Sequence, residues 1–114
     1  MNNLTNFFKI LSDETRLRIV ILLAQEELCV CEMCGILELS QPKVSKHLAK
    51  LRDKGFVTVE RKEQFIFYSL KIEDGALSNL IVNIVDNIEN YPQLSVDSKR
   101  LIDKEIYSRQ CSIE

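Results

Sequence analysis

The chain has no tryptophan, a single histidine, two prolines and three glycines in 114 residues. With His47 alone there is no His-Glu-x-x-His zinc pair and no evident triad, and three scattered glycines supply no phosphate-cradling loop. Nothing in the residue set argues for an enzyme. No segment holds the roughly 18 unbroken apolar residues of a membrane span, and Met1-Asn2-Asn3 has neither the basic nor the apolar region of a signal peptide. A cytoplasmic protein without a membrane partner is expected. Repeats and low-complexity segments are missing too. Hydrophobic residues make up 46% and charged residues 28%, which suffices for one modest core in a chain too short for two.

Against that background the four cysteines stand out, because three fall in the run Leu28-Cys29-Val30-Cys31-Glu32-Met33-Cys34. In a reducing cytosol they read as ligands or reactive thiols rather than as a disulfide framework, and Cys29 and Cys31 lie too close to staple distant parts. Cys111 reads as a tail thiol, or as a fourth sulfur for a divalent metal if the tail reaches back.

Leu4, Phe7, Phe8 and Leu11 recur at i, i+3, i+4 and i+7 and predict a short first helix that Ser12 ends. Ser12 is also the expected N-cap of a second helix, with Asp13 and Glu14 in its first turn and Leu17, Val20, Ile21 and Leu23 facing inward. The cysteine run leads into a third helix, roughly residues 30–37. Ser40 caps a fourth from Gln41 to about Lys54, with Pro42 in its first turn and Gly55 as the stop. Residues 56–60 and 65–70 are rich in β-branched and aromatic side chains and flank a polar Arg61-Lys62-Glu63-Gln64 turn, a β-hairpin with no other strand pair in view. From Glu73 to Asn90, Leu77, Leu80, Ile81, Ile84, Val85 and Ile88 form a stripe wide enough to pack on the domain and on a partner, and Pro92 closes that helix. The tail has helical spacing at Leu101, Ile102 and Ile106 without a strong pattern. The expected class is mainly α with a small β-hairpin (α+β), with one domain over residues 1–91 and a C-terminal tail over residues 92–114.

Two short helices followed by a hairpin make a winged helix-turn-helix. The net charge is −2, yet between Gln41 and Lys62 seven basic side chains face two acidic ones, a local +5 on an otherwise acidic chain. Such a stripe either attracts double-stranded DNA to one face or is only a solvated helix surface. In the fourth helix Val44, Leu48 and Leu51 lie at i, i+4 and i+7 and belong to the core, leaving Gln41, Lys43, Ser45, Lys46, His47 and Lys50 outside. The N-terminal half of a recognition helix reaches base edges and later lysines hold phosphates, so Gln41, Lys43, Ser45 and Lys46 are the candidates for the groove. His47 is a surface or backbone-bonded imidazole or a phosphate contact, and Arg61 and Lys62 at the wing tip face DNA or solvate the turn.

Asp13-Glu14-Thr15-Arg16-Leu17-Arg18-Ile19, Glu27-Leu28-Cys29-Val30-Cys31-Glu32 and Ser40-Gln41-Pro42-Lys43-Val44-Ser45-Lys46-His47-Leu48-Ala49-Lys50-Leu51 resemble the arsenical-resistance repressor family, ArsR/SmtB. The likeness covers about residues 4–90, and the cysteine segment resembles most the arsenite- and antimonite-sensing branch. The resemblance implies a homodimeric winged-helix repressor without a cofactor in its DNA-bound state, which leaves its operator when As(III) or Sb(III) binds. It further implies that the first and fifth helices form the dimer interface, here Leu4, Phe7, Phe8, Leu77, Leu80, Ile81, Ile84 and Ile88.

The residue chemistry agrees. Trivalent arsenic and antimony are thiophilic and make three bonds in a shallow pyramid, which Cys29, Cys31 and Cys34 can satisfy, whereas zinc and cadmium usually take a fourth ligand. Were all three helical, Cys31 and Cys34 would lie about 60° apart around the axis but Cys29 about 160° from Cys31, so binding requires an unwound first turn. A helix start is also expected to lower a thiol's pKa. The plainer reading of Cys31 and Cys34 is as small buried hydrophobes, and a dithiol site of Cys29 and Cys31 without Cys34 stays open beside the set of three.

Several features depart from the family. The fifth helix has no histidine for an interfacial zinc, no cysteine precedes Cys29 as in the cadmium and lead branch, the wing turn lacks glycine, and the chain beyond Tyr91 has no counterpart. Two alternatives stay open, a winged-helix repressor answering a divalent soft metal (Cd, Pb or Zn) and one answering thiol oxidation. A thiol oxidoreductase built on Cys31-x-x-Cys34 would need alternating strands and helices that the pattern lacks.

Overall fold

The structure, a computed structural model, describes residues 2–110, so Cys111 lies outside the described residues. In chain order the elements are α1 (Asn2–Leu11), α2 (Glu14–Gln25), β1 (Leu28–Cys29), α3 (Val30–Leu37), α4 (Gln41–Asp53), β2 (Val57–Lys62), β3 (Phe65–Leu70), α5 (Gly75–Asp86), α6 (Pro92–Lys99) and α7 (Lys104–Gln110). Single 3-10 turns at Ile88–Asn90 and Arg100–Asp103 join the last three helices. The expected winged helix-turn-helix is present: α3 and α4 are the helix-turn-helix, and the β2–β3 hairpin is the wing.

α2 is the axis of the core. Ile19, Val20, Ile21 and Leu22 are each at most 1% exposed, so the helix is apolar on more sides than the expected inward set of Leu17, Val20, Ile21 and Leu23. The reason is tertiary: α1, α4, α5, α6 and β3 all pack around it. Its N-cap is Asp13 rather than Ser12. Asp13 is extended and its carboxylate accepts from the Arg16 amide at 3.0 Å, while the Ser12 hydroxyl is already used to donate to the Lys9 carbonyl at 2.7 Å, closing α1.

The sheet has three strands in the order β1-β3-β2, all antiparallel, against the expected isolated hairpin. The third strand is the two-residue β1, with Leu28 opposite Tyr68 and Cys29 opposite Phe67. A two-residue bridge has no periodicity of its own to read. The hairpin turn is also tighter than expected. Glu63 takes the left-handed conformation (φ 57°), which lets Arg61 and Lys62 stay in the ladder opposite Ile66 and Phe65.

α5 starts at the Asp74 cap, whose carboxylate accepts from the Ala76 and Leu77 amides, and ends at Asp86 instead of near Asn90. Asn87 stops it by donating its side-chain amide to the Asn83 carbonyl at 2.8 Å. Pro92 therefore does not close α5; it opens α6, where its missing N–H costs nothing. The tail is helical and folds back on the domain, burying Leu94 and Asp97 against α2 and seating α7 on α3.

Candidate nucleic-acid interface and sensor site

Val44, Leu48 and Leu51 are fully buried as the recognition-helix pattern requires, which turns Gln41, Lys43, Lys46 and Lys50 to solvent with Ser45 half-buried. Lys43, Lys46, Lys50 and Lys54 follow one another at helical spacing and form a single cationic ridge within about 80° of the α4 circumference. At its far end the ridge meets Lys9 and Arg16, and Lys9, Arg16, Lys50 and Lys54 line a cleft of about 250 Å³ with Asn6 and Ile10. Lys54 belongs to the basic stretch already counted but not to the DNA-facing candidates, although its spacing from Lys50 extends the ridge, and Lys9 carried no local signal.

His47 faces inward from that ridge. Arg16 donates toward its Nδ1 at 3.4 Å, and burial holds the imidazole below its ordinary pKa, against the pull of Asp13. Arg16 also donates to the Ile10 carbonyl at 3.0 Å, so this signature arginine closes the C-terminal end of α1. On the wing, Arg61 donates to the Glu63 carbonyl at 3.3 Å and otherwise projects into solvent. Lys62 is engaged differently. Its ammonium pairs with Glu27 and lies 3.7 Å from Glu60, and it sits over the Phe67 ring. The Ser69 hydroxyl donates to the other Glu27 oxygen at 3.4 Å, so the wing is tied at two points to the residue that precedes β1.

The cysteines straddle the junction of that strand with α3. Cys29 is the N-cap of α3, in extended conformation (φ −88°, ψ 168°), while Cys31 and Cys34 lie in its first two turns and are half-buried. Glu32, only 4% exposed, closes a capping box by accepting from the Cys29 amide at 3.0 Å. Burial pushes the Cys29 thiol up to about 11, with the Glu32 carboxylate adding to the effect, and this reverses the lowering expected at a helix start. Cys29 and Cys34 carry thiols rather than disulfides, whereas Cys31 is disulfide-bonded, a departure from the expected set of three thiols. Among the described residues no three His, Cys, Asp or Glu side chains are gathered closely enough to hold a metal ion.

Two connections lead outward from this junction. Cys29 pairs with Phe67 on the wing strand. The Cys34 carbonyl accepts from the amides of Glu38 and Leu39, and so fixes the turn that launches the recognition helix. Arg18 of α2 braces the far end of α3 by donating to the Leu37 carbonyl at 3.2 Å while forming a two-pronged pair with Asp97 of α6 at 2.8 and 2.9 Å.

Of the residues expected at a dimer interface, Phe7, Leu77 and Ile81 are buried in this chain's own core, Ile84 and Ile88 are half-buried, and Leu4, Phe8 and Leu80 stand exposed on α1 and α5. No described helix is long and apolar enough to cross a membrane.

A basic recognition helix set on a buried apolar face beside a β-wing defines a winged helix-turn-helix DNA-binding regulator of transcription. The profile of the bacterial regulatory proteins of the arsR family matches residues 13–59. An arsenic resistance transcriptional regulator of Pseudomonas putida is 46% identical over 96 residues, 82% of this chain and 73% of that one. The arsenical resistance operon repressor of Escherichia coli is 52% identical over 64 residues, 55% of each chain, and a cadmium resistance transcriptional regulatory protein of Listeria innocua is 40% identical over 60% of this chain and 59% of its own. The alignment thus spans little more than half of the last two. HlyU from Vibrio cholerae superposes with a TM-score of 0.66 at 34% identity, over 73% of this chain and 88% of that one. The chain belongs to the arsR family of bacterial regulatory proteins. Neither its fold nor these relatives are those of an enzyme.

Proposed function

We propose that the protein is a cytoplasmic, homodimeric repressor that leaves its operator when As(III) or Sb(III) binds Cys29, Cys31 and Cys34, releasing metalloid-resistance genes. The observation that carries this reading is the position of the cysteine run: it occupies a junction that touches both DNA-facing elements, the wing through Cys29 opposite Phe67 and the recognition helix through the Cys34 carbonyl. Gln41, Lys43, Ser45 and Lys46 enter the groove, and Lys50 with the cleft beside it holds phosphates. Leu4, Phe8 and Leu80 supply the apolar contact between protomers.

To bring the Cys29 sulfur into one shell with the other two, the capping box must open, so the first turn of α3 unwinds and both attachments move together. A dimer needs its two recognition helices about 34–36 Å apart to meet successive major grooves, so a small rotation of each half spoils both contacts. A coupling of about 4 kcal/mol corresponds to about a thousandfold loss of operator affinity. The raised pKa of Cys29 is no obstacle to arsenous acid, because each arsenic–sulfur bond that forms releases one hydroxide, which leaves with the thiol proton as water. A divalent cation must instead expel the proton into solvent.

Thiol oxidation is the second reading, favoured by the disulfide at Cys31. Fluorescence anisotropy of labelled promoter DNA on the fully reduced protein separates the two. Titration with arsenite, antimonite, cadmium, zinc and peroxide should give release by arsenite and antimonite alone, lost in a Cys29→Ser, Cys31→Ser variant. Release only by peroxide supports the oxidation reading, and release only by cadmium or zinc moves the chain to the divalent branch.

A further inference from the structure

We infer that the C-terminal segment is a clasp on the sensor helix, in which Arg100 and Tyr107 are positioning residues that set how much metalloid is needed to open α3. The threshold role rests on the proposed function above; the clasp itself does not.

Gly35 sits inside an eight-residue helix, where glycine weakens helix formation unless something needs the space. Here the space is taken. A Cβ on Gly35 would overlap the ring of Tyr107, which lies directly against the helix backbone beside Cys34. Arg100 completes the grip. Its guanidinium donates to the Gly35 carbonyl at 3.0 Å and to the Tyr107 hydroxyl at 3.2 Å, and pairs with Glu38, the C-cap of α3, at 3.2 Å.

The same segment is anchored at two further points. Upstream, buried Asp97 holds Arg18, which also caps the Leu37 carbonyl, and between Arg100 and Tyr107 the Lys104 ammonium pairs with Glu26 at 2.9 Å, just before β1. The carbonyls taken by Arg18 and Arg100 belong to the last four of a helix, which lack intrahelical partners, so the clasp satisfies groups that α3 cannot satisfy alone. The contacts at Gly35, Leu37 and Glu38 hold the second half of α3 in place, so any shift of the helix that follows the opening of its first turn has to work against them. Loosening them should therefore lower the inducer concentration that empties the operator.

The test uses the full-length, reduced protein carrying Gly35→Ala, Tyr107→Ala, Arg100→Gln or Tyr107→Phe. Amide hydrogen exchange over residues 30–38 is measured without metalloid, and arsenite-driven operator release is measured separately. On an undocked helix Gly35→Ala would slow exchange by about fivefold, because alanine is the better helix former. A docked clasp predicts the opposite sign, exchange several-fold faster. Gly35→Ala, Tyr107→Ala and Arg100→Gln should cut the arsenite concentration for half-release at least threefold while leaving arsenite-free operator affinity within twofold. Tyr107→Phe, which keeps the ring, should stay near the parent. Slower exchange in Gly35→Ala overturns the clasp, and an unchanged half-release concentration overturns its threshold role. If arsenite fails to release the parent protein, the threshold role falls with the proposed function, and the exchange result still decides the clasp.

Discussion

Replacing Asp97 by alanine probes the joint between the tail, the central helix and the sensor helix. Asp97 is 2% exposed, and its carboxylate accepts from Arg18 at 2.8 and 2.9 Å and from Gln93 at 3.0 Å. The Arg18 side chain is itself only 14% exposed, so without Asp97 it keeps one hydrogen-bond acceptor among the described residues, the Leu37 carbonyl. Breaking one side of a buried pair costs about 3–5 kcal/mol, and the partial exposure of Arg18 places this case at the lower end, about 3 kcal/mol. That is a large share of the roughly 5–15 kcal/mol that holds a small domain together. At about 4 °C per kcal/mol the melting temperature should fall by about 12 °C. Thermal and urea unfolding followed by circular dichroism measure it, on reduced protein at one fixed concentration because a dimer's stability depends on concentration. The double variant Arg18→Met, Asp97→Leu removes both charges and should recover most of the loss. A loss below about 1 kcal/mol, or a double variant no better than Asp97→Ala, would refute the view of the pair as a desolvated unit.

Three further outcomes follow from the same contacts. Leu48→Ala empties a fully buried site under the recognition helix and should cost about 2–5 kcal/mol in equilibrium denaturation. Asp13→Ala removes the α2 cap and should cost about 1 kcal/mol at neutral pH. Because the Arg16 amide holds the Asp13 carboxyl below its ordinary 3.8, that contribution is complete above pH 3.8 and fades as pH falls through the lower native value. The difference between parent and variant should therefore be flat from neutrality down to about pH 4 and shrink below it; a difference that shrinks already at pH 6 contradicts the assignment. Lys50→Ala should reduce the slope of log affinity against log salt for operator DNA by about 1, whereas Lys62→Ala, whose ammonium is shared by Glu27 and Glu60, should change it by less than half as much.

Local chemistry made the helices legible. The burial of Val44, Leu48 and Leu51 was written in their spacing, and α3 begins and ends where the cysteine run and its flanks place it. Strand β1 was not legible, since two residues carry no period and their partner lies 38 or more positions away in the chain. The Ser12 cap and the Pro92 stop failed for a shared reason: each residue suits two neighbouring helices, and only tertiary contacts decide which one it serves. Charge patterning marked the α4 lysines but not Lys9, because its place beside them depends on α1 lying next to the end of α4. The expected lowering of the thiol pKa lost to burial, a quantity that sequence position does not encode. Gly35 carried no motif, and although Arg18 and Glu32 fall in the segments that resemble the family, the roles of all three appear only once the tail, the central helix and the sensor helix are packed together.

Arsenic X-ray absorption on the fully reduced protein, loaded with one equivalent of arsenite per chain, tests most directly whether three sulfurs at the β1–α3 junction take the metalloid. Three sulfur neighbours per arsenic and no retained oxygen, falling to two sulfurs in Cys34→Ser, is the expected result. An oxygen-bound arsenic, or a spectrum that Cys29→Ser leaves unchanged, would contradict it.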